Sequence, residues 1–532
     1  MTAGVSELAV SSYEELAALV LAQAARLADQ AVLIEAMRVE LASLRRQTGR
    51  DSSNSSQPPS KDGPGAKATA KADLPAGDRS ASPVDKKPRR KQGGQPGHRG
   101  AGLARVAVPD RTEQVEPSAC GCGADLAGAD GSVAARVQVF DLPPVALSVT
   151  EYLMMARRCG CGRVTTAGLP AGVRGGPTCY GPNVTAAVTW LASQDVIGMA
   201  RAAEMMSALL AAPVSTGFVS SCLARLDTAL TGAGFEDELK AALREQDVLG
   251  TDETPAPLTA TGVAAETEEE CTNPHVFTTR TMHAYTCRAA TDGAAASGGA
   301  PGRDLVWYGA AGTRRKTAIS GFGILDGYHG VLVRDDFGGY LSYDEHLAGV
   351  QQCVSHLLRY LADANDIDPA VQVWTAQVTD ALRTAIHTVN VARRNGTEVD
   401  QALIARLRAV YQAGVAVGIS INVSRPWPKG NHPGLILARR LKRKAEQVWL
   451  FTQRLDVPPT NNGSEAAIRG FKLAAKVQGC WRSLATLRRH CRIRSYLVTA
   501  GNHGRSPIDA IRDALAGAPW MPPRTTRYAL AA

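Results

Sequence analysis

Asp247-Val-Leu-Gly-Thr-Asp-Glu-Thr254 drives a short apolar run into two adjacent acids and stops at Pro255. A run of this length with β-branched residues, closed by Pro, predicts a strand. The pattern returns at Gly330-Val-Leu-Val-Arg334, which leads into Asp335 and Asp336. Strands are also expected at Thr281 to Ala289 and Asp304 to Gly309, and a helix from about Arg314 to Leu325 precedes the fourth strand. Three strands, a helix and a further strand make an α/β layer. Acids at strand ends face the crevice where such sheets bind ligands. Any one of them alone is also an ordinary turn former. Glu465, in the first turn of a helix opening at Thr460 to Gly463, adds a third acid to Asp252 and Asp335.

Working outward, His346 to Val457 reads as largely helical, with a break at Arg425-Pro-Trp-Pro-Lys-Gly430. Residues 181 to 246 also read as helical. Pro213-Val-Ser-Thr-Gly217 is a turn there, which is the outline of a helix-turn-helix or of generic helical packing, with Arg201 and Arg225 placed for a duplex in the first case. Between Ala119 and Arg163 short apolar runs alternate with turn residues, so a β-rich stretch is expected, flanked by Cys120-Gly-Cys122 and Cys159-Gly-Cys161. Four paired thiolates suit a tetrahedral structural Zn²⁺ in a module too small for a core of its own. The one-residue gap is tighter than usual, and reduced, metal-free cysteines remain the other reading.

Residues 48 to 105 are rich in Ser, Pro, Gly, Lys and Asp and read as a disordered linker. It ends in Lys86, Lys87, Arg89, Arg90 and Lys91, a basic arm for phosphates or a minor groove, or a charge run that only solubilises. Tyr13 to Arg46 lacks Pro and Gly, and Val20, Leu27, Ile34 and Leu41 recur every seven residues. That periodicity predicts a coiled coil and a homo-oligomer, although Gln23 and Gln30 in the companion seam also fit a helix docked on its own chain.

The 532 residues carry 45% hydrophobic and 20% charged side chains, globular values that exclude wholesale disorder and a disulfide-stapled miniprotein. The formal charge of +9 favours a polyanionic partner. No secretory signal or transmembrane helix is expected, so the chain reads as cytoplasmic and nucleoid-associated, with no membrane partner. The expected organisation is a coiled coil over 1–47, the linker over 48–105, a zinc module over 106–178 and a DNA-binding helical segment over 179–246. A catalytic domain over 247–345 and 458–500 follows, interrupted by a helical insertion over 346–457 and closed by a tail over 501–532.

Three carboxylates at one crevice suit phosphodiester chemistry, in which two Mg²⁺ ions activate the attacking oxygen and stabilise the leaving one. Hard oxygen donors bind Mg²⁺, and Mn²⁺ is the natural substitute. Arg469, Lys472 and Lys476 fall on the same helical face as Glu465 and, with Arg482, are placed to clamp DNA phosphates. Arg488, Arg489, Arg492 and Arg494 extend the same basic cluster. Arg439, Arg440, Lys442, Arg443 and Lys444 read equally as a solvated helix face. His356 and Arg359 share a face that points at the metal site or merely packs, and Trp427 and Trp481 are base-stacking or core aromatics.

Over nearly its whole length the chain resembles the insertion-sequence-sixty-six family of bacterial DDE transposases. The segments that carry the resemblance are Gly49-Arg-Asp-Ser-Ser-Asn-Ser-Ser-Gln-Pro-Pro-Ser60, Gln92 to Arg99, Val139-Phe-Asp-Leu-Pro-Pro144 with Thr150-Glu151, and the cysteine pairs. Thr251-Asp-Glu-Thr-Pro255, Arg334-Asp-Asp-Phe-Gly-Gly-Tyr340, Cys353-Val-Ser-His-Leu-Leu-Arg359 and Thr460-Asn-Asn-Gly-Ser-Glu465 follow in order. The resemblance implies an RNase H-like domain with a long helical insertion between its second and third acids. It assigns Asp252 and Glu465 as the first and last acids. An Asp five residues before a Tyr selects Asp335, ahead of Tyr340, over Asp336. It further implies cleavage at transposon ends and transfer of the 3′ ends to target DNA, with accessory transposition proteins as an open question. The Cys-x-Cys spacing and the polar insert Thr259 to Asn273 depart from the family pattern and touch none of the acids. A non-catalytic DNA-binding regulator, a decayed copy, and a nuclease that cuts without joining are the competing readings.

Overall fold

The computed structural model describes parts of the helix between residues 17 and 37, and residues 104–524 apart from 118–119, 129, 143–144, 171–172, 265–270, 283–303 and 429. Residues 50–146 form one compact unit and the remaining chain a second. The basic arm at Lys86 to Lys91 lies outside the described residues. In the first unit the described backbone carries no regular strand, and Val133, Val137, Val139 and Leu142 stay exposed. The expected β-rich stretch is thus reduced to one hairpin of the second unit, β1 (Ala156–Arg158) with β2 (Val164–Thr166). Alternation marks a strand only where a second layer covers its apolar face, and these side chains have none.

Four helices follow, α1 (Pro182–Ala192), α2 (Met199–Leu210), α3 (Thr216–Gly232) and α4 (Phe235–Arg244). The turn between α2 and α3 is where Pro213 predicts it, and the Ser215 hydroxyl caps α3 by accepting from the Phe218 amide at 3.1 Å. This segment does not stand apart from the sheet. Leu226, Leu230, Phe235, Leu239 and Leu243 share one core with Leu249, Phe277, Trp307 and Leu332.

The sheet has five strands, β3 (Val248–Pro255), β4 (His275–Thr281), β5 (Val306–Ala311), β6 (Val331–Arg334) and β7 (Gly349–Gln352), in the order β5-β4-β3-β6-β7. β3, β4 and β5 run antiparallel; β6 and β7 run parallel to β3. Two strands depart from the expectation. β4 precedes the predicted Thr281 to Ala289 strand, of which residues 283–289 lie outside the described residues. Its Thr278, Thr279 and Thr281 are β-branched and buried, with Thr278 donating to the Trp307 carbonyl at 2.9 Å, so polar letters conceal a core strand. β7 falls inside the predicted helical insertion because Gln351 and Gln352 do not look like core. Gln351 is nevertheless fully buried: its amide donates to Val448 O at 3.2 Å and accepts from Phe451 N at 2.8 Å.

Short α5 (Ala260–Ala264) and α6 (Lys316–Gly321) flank β4 and β5. Beyond β7 come the insertion helices α7 (Val354–Ile367), α8 (Trp374–Asn395), α9 (Gln401–Asn422), α10 (Pro433–Arg443) and α11 (Ala445–Trp449), which build a second core around Trp374, Leu382, Tyr411 and Trp449. By length and composition α9 is long and apolar enough to cross a membrane. Here it is a packing helix, since a Cβ at Gly418 would meet the Trp374 ring at 2.6 Å and the Tyr411 hydroxyl donates to Leu441 O at 2.9 Å.

α12 (Asn462–Gln478), α13 (Leu484–Asn502) and α14 (Pro507–Leu515) close the unit. β5 is an edge strand, and α13 occupies its free edge. Thr499 and Ser495 bond the main chain of Val306 and Tyr308, with Oγ to N distances of 3.2 and 2.8 Å, and Arg488 donates to Ala310 O at 3.2 Å. Hydroxyls one turn apart on a helix thereby stand in for a sixth strand and block edge pairing. α14 lies in the segment read as a tail, yet Ala510, Ile511 and Ala514 are buried in the sheet core.

Candidate active site

The parallel register pairs Gly250 with Val333. Continued two residues to the strand ends, it sets Asp252 beside Asp335. The third acid arrives on α12, whose first turn sits over β3. The buried Asn461 side chain donates to Thr251 O at 2.7 Å, and its amide donates to Cys353 Sγ at 3.2 Å. A Cβ on Gly250 would lie 2.6 Å from Ser464 Oγ, so only Gly at 250 lets the helix approach this closely. Glu465 in that first turn also gains from the positive end of the helix.

The electrostatics report the convergence of the three acids. Asp252 is pushed up to about 7, first by burial, then by the charges of Glu253, Asp335 and Glu465. The Glu253 amide, donating to Asp252 Oδ1 at 3.0 Å, opposes the rise. Glu253 is itself raised, by burial and by Asp335, but it is fully engaged. Tyr340 Oη donates to it at 2.7 Å and Arg314 pairs with it, while the Arg314 guanidinium lies 3.7 Å from the Phe337 ring centre. Tyr340, held far above its usual value by burial, stays a neutral donor.

Asp335 and Asp336 have different surroundings. Asp335 Oδ1 accepts the Phe337 amide at 2.9 Å. Asp336 is paired with Arg440 at 3.3 Å and with Lys444, both from the insertion. Asp336 therefore fastens the insertion to the end of β6, and Asp335 faces the other acids. Arg334, with no exposed surface, braces the turn through both Asp344 oxygens at 2.6 and 2.8 Å.

His356 also lies beside Glu465. Its Nδ1 is 3.6 Å from Glu465 Oε1, too long for a hydrogen bond, and burial lowers its pKa, with Arg359 acting in the same direction. Trp427 and Trp481 pack on His432 and His490, with ring centres 4.6 and 4.7 Å apart.

The basic run after Glu465 divides in two. Arg469, Lys472, Lys476 and Arg482 are exposed, and the first three continue the Glu465 face of α12. The remaining arginines are structural. Arg492 pairs with Asp227 and with Glu236 at 3.0 Å, Arg489 with Asp227 at 3.6 Å, and Arg494 with Asp195 at 3.0 Å. Arg225 spends its guanidinium on Cys222 Sγ at 2.9 Å, while Arg201 is exposed.

The family model described as Transposase IS66 family matches residues 177–489, more than half of the chain and the whole span from α1 into the first turns of α13. The chain belongs to the IS66 transposase family. No curated protein matches it. Membership of this transposase family implies DNA as the partner and divalent metal as the cofactor. Within the IS66 frame, the oxygen donors of Asp252, Asp335 and Glu465 fit a hard divalent ion, since burial and mutual repulsion raise Asp252 when no cation neutralises them. Arg314 and Asn461 were not singled out from sequence. Arg314 carries no local signal, whereas Asn461 stands inside the motif quoted for Glu465.

The cysteine pairs are alike. Gly123 N donates to Cys120 O at 2.8 Å and Cys120 N to Ala124 O at 3.2 Å; Gly162 N donates to Cys159 O at 2.9 Å and Cys159 N to Arg163 O at 2.8 Å. Gly123 and Gly162 close the turns at φ +87° and +89°, where a side chain would be strained. Backbone hydrogen bonds lower the thiol pKa of Cys122 and of Cys159. The hydrogen-bond contact within the first pair brings its sulfurs to 3.2 Å.

Proposed function

We propose that this protein is a DDE transposase that cleaves phosphodiesters at transposon ends and transfers the freed 3′ ends to target DNA. The observation that carries the reading is the meeting of three carboxylates from β3, β6 and α12. The order β5-β4-β3-β6-β7, antiparallel on one side of β3 and parallel on the other, supports an RNase H-like catalytic domain.

Asp252, Asp335 and Glu465 would hold two Mg²⁺ or Mn²⁺ ions, which supply Lewis acidity toward the attacking and leaving oxygens. The protein's own part is positional. Asn461 and Gly250 fix Glu465 over β3, while Tyr340 and Arg314 hold Glu253 and so keep it from competing as a ligand. Arg469, Lys472, Lys476 and Arg482 offer exposed cations alongside for the DNA backbone, and the arm at Lys86, Lys87, Arg89, Arg90 and Lys91 adds phosphate contacts. The Cys120–Cys122 pair and the Cys159–Cys161 pair are each a backbone-braced turn with a lowered thiol, which suits thiolate ligation of a structural Zn²⁺. Self-association is supported by Val20, Leu27 and Ile34, which lie exposed on the N-terminal helix.

Purified protein on labelled DNA carrying the element's ends, with Mg²⁺, tests the proposal. Cutting followed by joining is expected. Binding without cutting would make the protein a regulator, and cutting without joining a nuclease.

A further inference from the structure

Cys353, His356 and Glu465 converge on one point that the oxygen-ligated site does not use. Their ligand atoms all lie within 4.8 Å of one another. Cys353 immediately precedes α7 with His356 one turn along, and Cys353 Sγ lies 3.9 Å from Glu465 Oε1. His356 Nδ1 is buried and has no hydrogen-bond partner among the described residues. Burial holds the Cys353 thiol above its usual pKa, and the Asn461 amide, donating to its Sγ at 3.2 Å, opposes the rise. One sulfur, one imidazole nitrogen and one carboxylate oxygen are a donor set for a borderline-soft ion with a fourth position open. That set is unsuited to Mg²⁺, which takes oxygen ligands.

We propose that Cys353, His356 and Glu465 form a site for a Zn²⁺-class ion, and that filling it inhibits the protein by drawing Glu465 away from Asp252 and Asp335. Binding releases the Cys353 proton to solvent and leaves no redox change. The ion site stands on its own geometry; the inhibition rests on the catalytic reading above. Because Glu465 belongs to both sites, zinc and the oxygen-ligated ions oppose one another through a single side chain.

The test uses the full chain and two variants, Cys353→Ser and His356→Gln. Co²⁺ titration reads the thiolate-to-cobalt absorption, and subtracting the Cys353→Ser spectrum removes the contribution of the other cysteines. A difference band in the wild type, weakened in His356→Gln, is expected; identical spectra in wild type and Cys353→Ser overturn the site. Zn²⁺ titrated into the Mg²⁺-dependent cutting reaction, each variant normalised to its own zinc-free rate, gives the second readout. The half-inhibitory zinc concentration should rise about tenfold or more in both variants, the scale on which even outer partners alter metal affinity. An unshifted value overturns the inhibitory role. A difference band in a wild type that never cuts overturns the catalytic reading and leaves the ion site supported.

Discussion

The carboxylate site and the cysteine turns, both proposed to hold metal ions, are organised in opposite ways. Asp252, Asp335 and Glu465 come from segments far apart in sequence, brought together by a parallel register, an asparagine bridge and a close helix approach at Gly250. The cost of assembling them is met by the sheet core, so the acids are held together even at the expense of raising Asp252 to about 7. Each cysteine pair is instead local, closed by two backbone bonds and a left-handed glycine, and Val133, Val137 and Val139 between the pairs stay exposed. A fold that positions its ligands beforehand tolerates loss of the ion; a segment without a core depends on it.

The largest effect should separate two neighbours. Asp335→Asn is expected to lower cutting and joining by about a thousandfold or more, because acids sharing one ion pair act as a unit. Asp336→Asn should retain cutting, but it leaves Arg440 and Lys444 without their carboxylate and loosens the insertion. Single-turnover rates beside thermal melts decide it, and the reverse pattern would move the second ligand to Asp336.

Next is Cys159→Ser. This variant should lose one Zn²⁺ by elemental analysis and gain protease sensitivity within 106–178, with far-ultraviolet ellipticity of the sheet and helices nearly unchanged. Zinc-free wild type that resists protease equally would show that the cysteine turns need no ion.

The two halves of the basic run give a smaller contrast. Arg492→Met should destabilise by about 2–4 kcal/mol, since it leaves the half-buried Asp227 and Glu236 short of a cation. Lys472→Ala should leave the melt unchanged and reduce the salt slope of DNA binding by about one unit. Equal melting losses would erase the distinction between them.

How much of this was legible in the sequence follows from the range of each interaction. The strands bearing acids announce themselves because apolar runs ending in Asp and Glu are local patterns, as are the Pro213 turn and the heptads of the first helix. β7 was hidden because its buried Gln351, besides a local bond to Gln352 O, depends on Val448 and Phe451, about a hundred positions away. The basic run misled for the same reason: Arg492 and Arg494 look like DNA contacts until Asp227, Glu236 and Asp195 arrive from the other end of the domain. The strand order and the α13 hydroxyls that finish β5 have no short-range signature.

The smallest effect is on stability against pH. A carboxyl whose folded pKa is raised binds more protons folded than unfolded between its ordinary value near 3.8 and about 7, so it makes the ion-free protein less stable as pH climbs through that window. Without divalent ion, melting should fall from pH 5 to pH 7.5 more steeply in the wild type than in Asp252→Asn. Parallel curves would remove Asp252 from the repulsive cluster.

Whether Asp252, Asp335 and Glu465 form one ion site is read directly by calorimetric titration of Mn²⁺ into purified protein to which no Zn²⁺ has been added, so that Glu465 is not held by Cys353 and His356. Asp252→Asn, Asp335→Asn and Glu465→Gln should each abolish the same binding event, while Asp336→Asn preserves it. Undiminished Mn²⁺ binding in all three variants would contradict the account.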